Sequence, residues 1–144
     1  MIDALLAQLR SRDPSICLAL AALVRSADAE GATPFGTAAV AYREDYLGAM
    51  RRAAGDAAGP DPGTLSVDDV RRHLATSVLP RLATEGIIAD PGRGWDDQSA
   101  VRFRPEAWTA IAADREAARQ LLLEAAWQGM VTHDTGEHAA PSAA

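Results

Sequence analysis

Leu79-Pro80-Arg81-Leu82-Ala83-Thr84-Glu85-Gly86-Ile87-Ile88 is the stretch on which the fold turns. Leu79 and Leu82 stand about one helical turn apart, so both can seat the end of a helix on whatever lies beneath it. A glycine directly after such a helix can take the left-handed backbone conformation that terminates it, and the β-branched pair Ile87-Ile88 then starts a strand. Downstream, Pro91-Gly92-Arg93-Gly94 reads as a turn, and Val101-Arg102-Phe103-Arg104 alternates apolar with charged residues. A β-hairpin is therefore expected over 87–104, with Val101 and Phe103 facing inward and Arg102 and Arg104 outward.

Working upstream, Ser66-Val67-Asp68-Asp69 has the spacing of a capping box, and Val70, Leu74, Val78, Leu79 and Leu82 follow at helical intervals. Pro80 interrupts this pattern, because a proline inside a helix deletes a hydrogen bond and clashes with the preceding turn. Two helices meeting around Ala75-Thr76-Ser77, with Ser77 capping the second, are preferred over one kinked helix. Further upstream, Asp13-Pro14 starts a helix to about Ala29 with a stripe of Ile16, Leu20, Leu23 and Ala27, and Gly31 and Pro34 stop it. Thr37 caps another helix to about Ala54, its apolar face made by Val40, Tyr42, Tyr46, Leu47, Met50 and Ala53. The glycine- and proline-rich stretch 55–64 reads as a mobile loop.

The two ends add helices. Ile2 to Leu9 forms a short amphipathic arm, and Pro105 opens a helical region reaching about Gly129, within which Asp114 caps a second segment. One domain over 1–131 is expected, followed by a disordered tail over 132–144. The fold class expected is mainly α with a small β-hairpin.

Helix, glycine, two β-branched residues, hairpin, helix is the order of a winged helix. The stretch 79–88 resembles the end of the recognition helix in winged helix-turn-helix proteins, among them bacterial regulators of the MarR and PadR kind and the winged domains of archaeal replication initiators. The resemblance covers 14–104 loosely and 66–104 more closely; it departs from the pattern in the long helix 37–54 and the loop of about ten residues that replaces the tight turn after it, unless 66–75 is itself the middle helix. It implies a winged helix-turn-helix with flanking N- and C-terminal helices. Such folds serve both as DNA readers and as protein-docking modules.

For a DNA reader the relevant side chains are Arg71, Arg72, Ser77, Arg81 and Thr84 on the helices, Arg93 at the wing tip and Arg102 beside it. Arginine can grip a guanine edge with two hydrogen bonds or pair with phosphate, and an arginine between two glycines can enter a minor groove. The expected function is a sequence-specific DNA-binding transcriptional regulator reading double-stranded DNA with helix 77–86 and wing 87–104. Net charge constrains this. A formal −6 argues against a protein that coats nucleic acid non-specifically. Between Leu65 and Arg104 six arginines (71, 72, 81, 93, 102 and 104) face six carboxylates (68, 69, 85, 90, 96 and 97), so the alternative is an acidic winged-helix adaptor docking a larger protein complex in chromosome maintenance, replication or phage defence, without binding DNA itself.

Leu5, Leu6 and Leu9 at one end, and Leu121 to Leu123, Trp127 and Met130 at the other, exceed what a small winged core needs. A homodimer through the terminal helices is expected, with packing back on the same core as the alternative. His133, Asp134, Glu137 and His138 are metal-ligand types without an apolar scaffold to hold them, so no metal site is expected. Trp95 and Trp108 flank the wing as core residues or as the lining of a ligand pocket. Neither a phosphate-cradling glycine loop nor a nucleophile paired with a base appears, and the expectation is a non-enzymatic protein without cofactors. Lone Cys17 in an apolar run, the absence of a basic leader and the lack of a membrane-length apolar run suggest a cytoplasmic location.

Overall fold

The computed structural model describes residues 14–54, 65–92 and 94–143. The expected N-terminal arm, the loop 55–64 and the wing-tip Arg93 lie outside these. Helix α1, Pro14–Ser26, is the centre of the fold: every residue from Ile16 to Val24 is buried. The expected single stripe is thus too narrow. Ala19, Ala21 and Ala22 fill the remaining faces, and small side chains let neighbouring helices close on α1 from several sides.

After α1 the chain turns back through Asp28. Its carboxylate accepts the Glu30 and Ala32 amides at 2.9 and 3.0 Å, while Gly31 takes φ 84°. A short strand β1, Ala32–Pro34, follows where the sequence suggests only a helix stop. Helix α2, Phe35–Ala54, starts directly from it, two residues before the expected cap Thr37. Buried Phe35, Ala38, Ala39 and Tyr42 define its inner face, with Tyr46 and Ala49 packed beside them. Val40, expected on that face, is 47% exposed, because it sits off the i, i+3, i+4, i+7 row these residues share.

Ser66 caps the next helix as its spacing predicts, its hydroxyl accepting the Asp69 amide at 3.0 Å. Helix α3, Val67–His73, runs through a π-helical segment, Leu74–Val78, into α4, Leu79–Thr84, with helical dihedrals at each junction. This corrects the expectation of two helices meeting at Ala75-Thr76-Ser77, and Ser77 caps nothing. The π segment is the physical reason. Leu79 donates its amide to the Leu74 carbonyl, five residues back, and this wider turn falls just ahead of Pro80, whose ring the regular i−4 pattern would crowd. One rod results, seated on the core by Val70, Leu74, Val78, Leu79 and Leu82.

The rod ends as the glycine requires. Gly86 has φ 78° and donates to the Ala83 carbonyl at 3.1 Å, while Ile87 donates to the Leu82 carbonyl at 3.0 Å. These are the two bonds of a Schellman stop, and buried Leu82 and Ile87 supply its apolar contact. Ile88 then bridges Phe103 in antiparallel fashion, flanked by bonds from Ala89 to the Arg102 carbonyl and from Arg104 to the Ile87 carbonyl, both 2.9 Å. Strand β2, Ala100–Arg102, pairs on its other edge with β1, in the register Ala32↔Arg102, Thr33↔Val101, Pro34↔Ala100. So β2 lies between β1 and Ile88. Thr33, Ile88, Val101 and Phe103 face the core, and Arg102 and Arg104 face solvent.

Helix α5, Pro105–Ala112, leads into α6, Arg115–Ala143. Asp114 accepts the Ala117 amide at 3.1 Å, the expected cap. The assigned helix takes in most of the stretch 132–144 for which a disordered tail is expected. Along α6, Ala118, Leu122 and Ala126 repeat every four residues and are buried against α1. Arg115 donates to the carbonyls of Val24 and Ala27, both at 2.7 Å, satisfying carbonyls at the end of α1. Arg119 holds Asp45 of α2 through two bonds of 2.9 and 3.0 Å and also donates to the Ala21 carbonyl, which ties three helices at one guanidinium. The hydrogen-bonded Asp45 carboxylate holds the Arg119 pKa above the ordinary arginine value, against the opposing effect of burial.

Candidate nucleic-acid interface

The side of the rod away from its buried row is the surface on which most of the candidate side chains fall. Arg72, Thr76, Ser77, Arg81 and Thr84 are all exposed: Arg72 and Thr76 stand four residues apart, as do Ser77 and Arg81, and Thr84 follows Arg81 by three. Arg81 is exposed with no ion-pair partner among the described residues. Arg72 lies 3.7 Å from Asp69, one turn back on the same rod. The Thr76 hydroxyl donates to the Arg72 carbonyl at 2.7 Å and that of Thr84 to the Pro80 carbonyl at 2.9 Å, so each leaves its oxygen lone pairs toward solvent. His73, also exposed, stacks on Tyr42 at 6.5 Å between ring centroids and 19° between planes.

Arg71 is placed differently. It pairs with Asp97 of the loop before β2, and its guanidinium lies 5.7 Å from the centre of the Phe35 ring. It therefore stands off the exposed row, toward α2. Arg102 belongs to the solvent face of β2, where its charge helps hold the Asp28 carboxyl below the ordinary aspartate pKa. The amides of Ala32 and Glu30 contribute more to that lowering. Of the expected set, then, the rod brings together Arg72, Ser77, Arg81 and Thr84, whereas Arg71 is engaged by Asp97 and Phe35 within the fold and Arg102 stands apart on the solvent face of β2.

The loop side chains were illegible as a group. Within 96–99 the Asp96 carboxylate accepts the Gln98 amide and the Ser99 hydroxyl, at 2.9 and 3.1 Å, and Ser99 donates its amide to the Asp96 carbonyl at 2.9 Å. A sequence signal for this turn exists in Asp96-Asp97-Gln98-Ser99, a cluster of residues that bond their own backbone. Trp95 is half-buried against the core. Trp108 lies over Gly31, stacks on Phe103 at 5.5 Å and donates its indole N–H to the Ala29 carbonyl at 3.2 Å, which gives it a packing role.

Other candidate features fall as follows. The side chains of Met130, His133, Asp134, Glu137 and His138 lie outside the described residues. Leu122 belongs to the core, Leu123 and Trp127 are half-buried, Arg52 sits 4.3 Å above the Trp127 ring, and Leu121 is 41% exposed. Part of the apolar excess assigned to dimerisation is thus absorbed by α1. Among the described residues no helix is long and apolar enough to cross a membrane. Searches of the sequence against known families and characterised proteins, and of the fold against solved structures, find no match.

Proposed function

We propose that residues 14–104 form a winged helix-turn-helix unit that reads double-stranded DNA as a sequence-specific regulator, with the C-terminal part of the rod in the major groove. The observation that carries this reading is the set of exposed polar residues Arg72, Thr76, Ser77, Arg81 and Thr84 on a rod whose Val70, Leu74, Val78, Leu79 and Leu82 are buried in the core. A helix fits the major groove, and arginine with small hydroxyl residues is the chemistry that reads base edges there. The chain order supports it as well: helix, strand, helix, rod, Ile88 and β2, with β2 between the other two extended segments. Exposed apolar area on α6 at Leu121 is compatible with a symmetric dimer, which would present two rods to a two-fold site.

Electrophoretic mobility shift against DNA from upstream of the chain's own coding region tests the reading. Arg81→Ala is expected to cost about 1–3 kcal/mol at the preferred site and to blunt discrimination between sites, whereas Arg93→Ala lowers affinity for all duplexes alike. Failure to bind any duplex at low salt rejects DNA reading. A second reading, an acidic winged-helix adaptor, is favoured by the ion pairs that occupy Arg71 and Arg72. Its signature is a stoichiometric protein partner that co-purifies free of nucleic acid.

A further inference from the structure

Three parts of the fold meet at the Arg71 guanidinium. The side chain leaves the rod, lies 5.7 Å from the ring centre of Phe35 at the start of α2, and pairs with Asp97 at the corner of the 96–99 turn. The same turn touches α2 a second time: the Ser99 carbonyl accepts the Phe35 amide at 3.0 Å. Phe35 itself is buried, so both contacts join the loop to a fixed point of the core. The turn is internally braced by the Asp96 and Ser99 bonds, and it presents Asp97 as a preformed corner.

We propose that Arg71 is a latch that docks loop 94–99 onto the rod and α2, so that loop and rod move as one body, and that its strength is set by ionic strength. The physical basis is the asymmetry of the pair. Asp97 is 64% exposed and Arg71 32%, so the Coulomb attraction between them is open to solvent and to screening. The contact of the guanidinium with the ring of buried Phe35 is less open to solvent and keeps Arg71 oriented toward the loop when the carboxylate lets go. Arg71 is thereby a positioning residue for the loop, removed from the set of side chains free to grip phosphate. This inference holds whether or not the rod binds DNA.

Hydrogen exchange of the Phe35 amide, read by NMR on the full chain without nucleic acid, tests it, because that amide's bond to Ser99 breaks when the loop lifts. The Leu20 amide, deep in α1, reports global opening. Raising salt from about 0.1 M to about 1 M shortens the screening length from roughly 10 Å to 3 Å. The native chain is then expected to exchange Phe35 about two- to fivefold faster relative to Leu20, the range of a partly exposed ion pair. Asp97→Asn, a substitution at an exposed position, is expected to show the faster exchange already at low salt and to lose the salt response. A salt-insensitive Phe35 in the native chain, native behaviour in Asp97→Asn, or equal acceleration of Phe35 and Leu20 overturns the proposal.

Discussion

Gly31 and Gly86 have nearly the same backbone, φ 84° and 78°, yet a side chain at each would meet different surroundings. A Cβ on Gly86 finds nothing within 4 Å, whereas one on Gly31 falls 2.8 Å from two atoms of the Trp108 indole. Alanine at either position incurs the left-handed penalty of about 1–2 kcal/mol. Stiffening of the unfolded chain offsets about 0.4–1 kcal/mol of it. Gly86→Ala should therefore cost about 1 kcal/mol. Gly31→Ala must in addition move Trp108, which is held by its bond to the Ala29 carbonyl, by stacking on Phe103 and by Arg115 at 5.2 Å. Overpacking of that kind adds about 1–3 kcal/mol, bringing Gly31→Ala to about 3 kcal/mol. Urea titration followed by far-UV circular dichroism reads the difference as a shift of midpoint at constant slope. Equal costs for the two alanines would refute the assignment of Trp108 as the neighbour that makes Gly31 irreplaceable.

Two further expectations concern single side chains. The Thr33 hydroxyl is fully buried without a hydrogen-bond partner among the described residues, so Thr33→Val, which keeps the shape and removes the polar atom, should raise stability by about 1 kcal/mol in the same titration; a loss of stability would mean that the hydroxyl is satisfied. Asp28 has its folded-state pKa lowered, first by the Ala32 amide and then by that of Glu30, so its contribution to stability is present above the ordinary aspartate value of about 3.9 and is lost as pH falls through the lower folded value. NMR titration of its carboxyl should give a midpoint below about 3.9, and a midpoint at or above that value contradicts the turn geometry.

Much of the local structure was legible because its causes are local. Ser66 three residues before Asp69, Asp114 three before Ala117, and Gly86 after a leucine-anchored helix each act through neighbours in the chain, and each makes the expected bond. The alternation Val101-Arg102-Phe103-Arg104 likewise carries its own inward and outward faces. Pro80 deletes a hydrogen bond from a regular helix, which favours a new helix starting around it, and the π segment ahead of it is a solution that a rule written for regular helices leaves out. Strand β1 was illegible because Ala32-Thr33-Pro34 has little strand character of its own; it is extended because β2 arrives to pair with it.

For the candidate site the division is sharper. Residue type alone placed Arg72, Ser77, Arg81 and Thr84 on an outward helix face, since a buried leucine and valine row dictates which side faces water. Arg71 carries the same side chain as its neighbour Arg72, and no local pattern separates them. Only the tertiary structure brings Asp97 and Phe35 to one and leaves the other in solvent, because charge pairing across 26 residues of sequence depends on where the loop comes to rest. Helix ends, turn residues and apolar periodicity are thus properties of the chain itself; the partner each charge acquires is a property of the packed body.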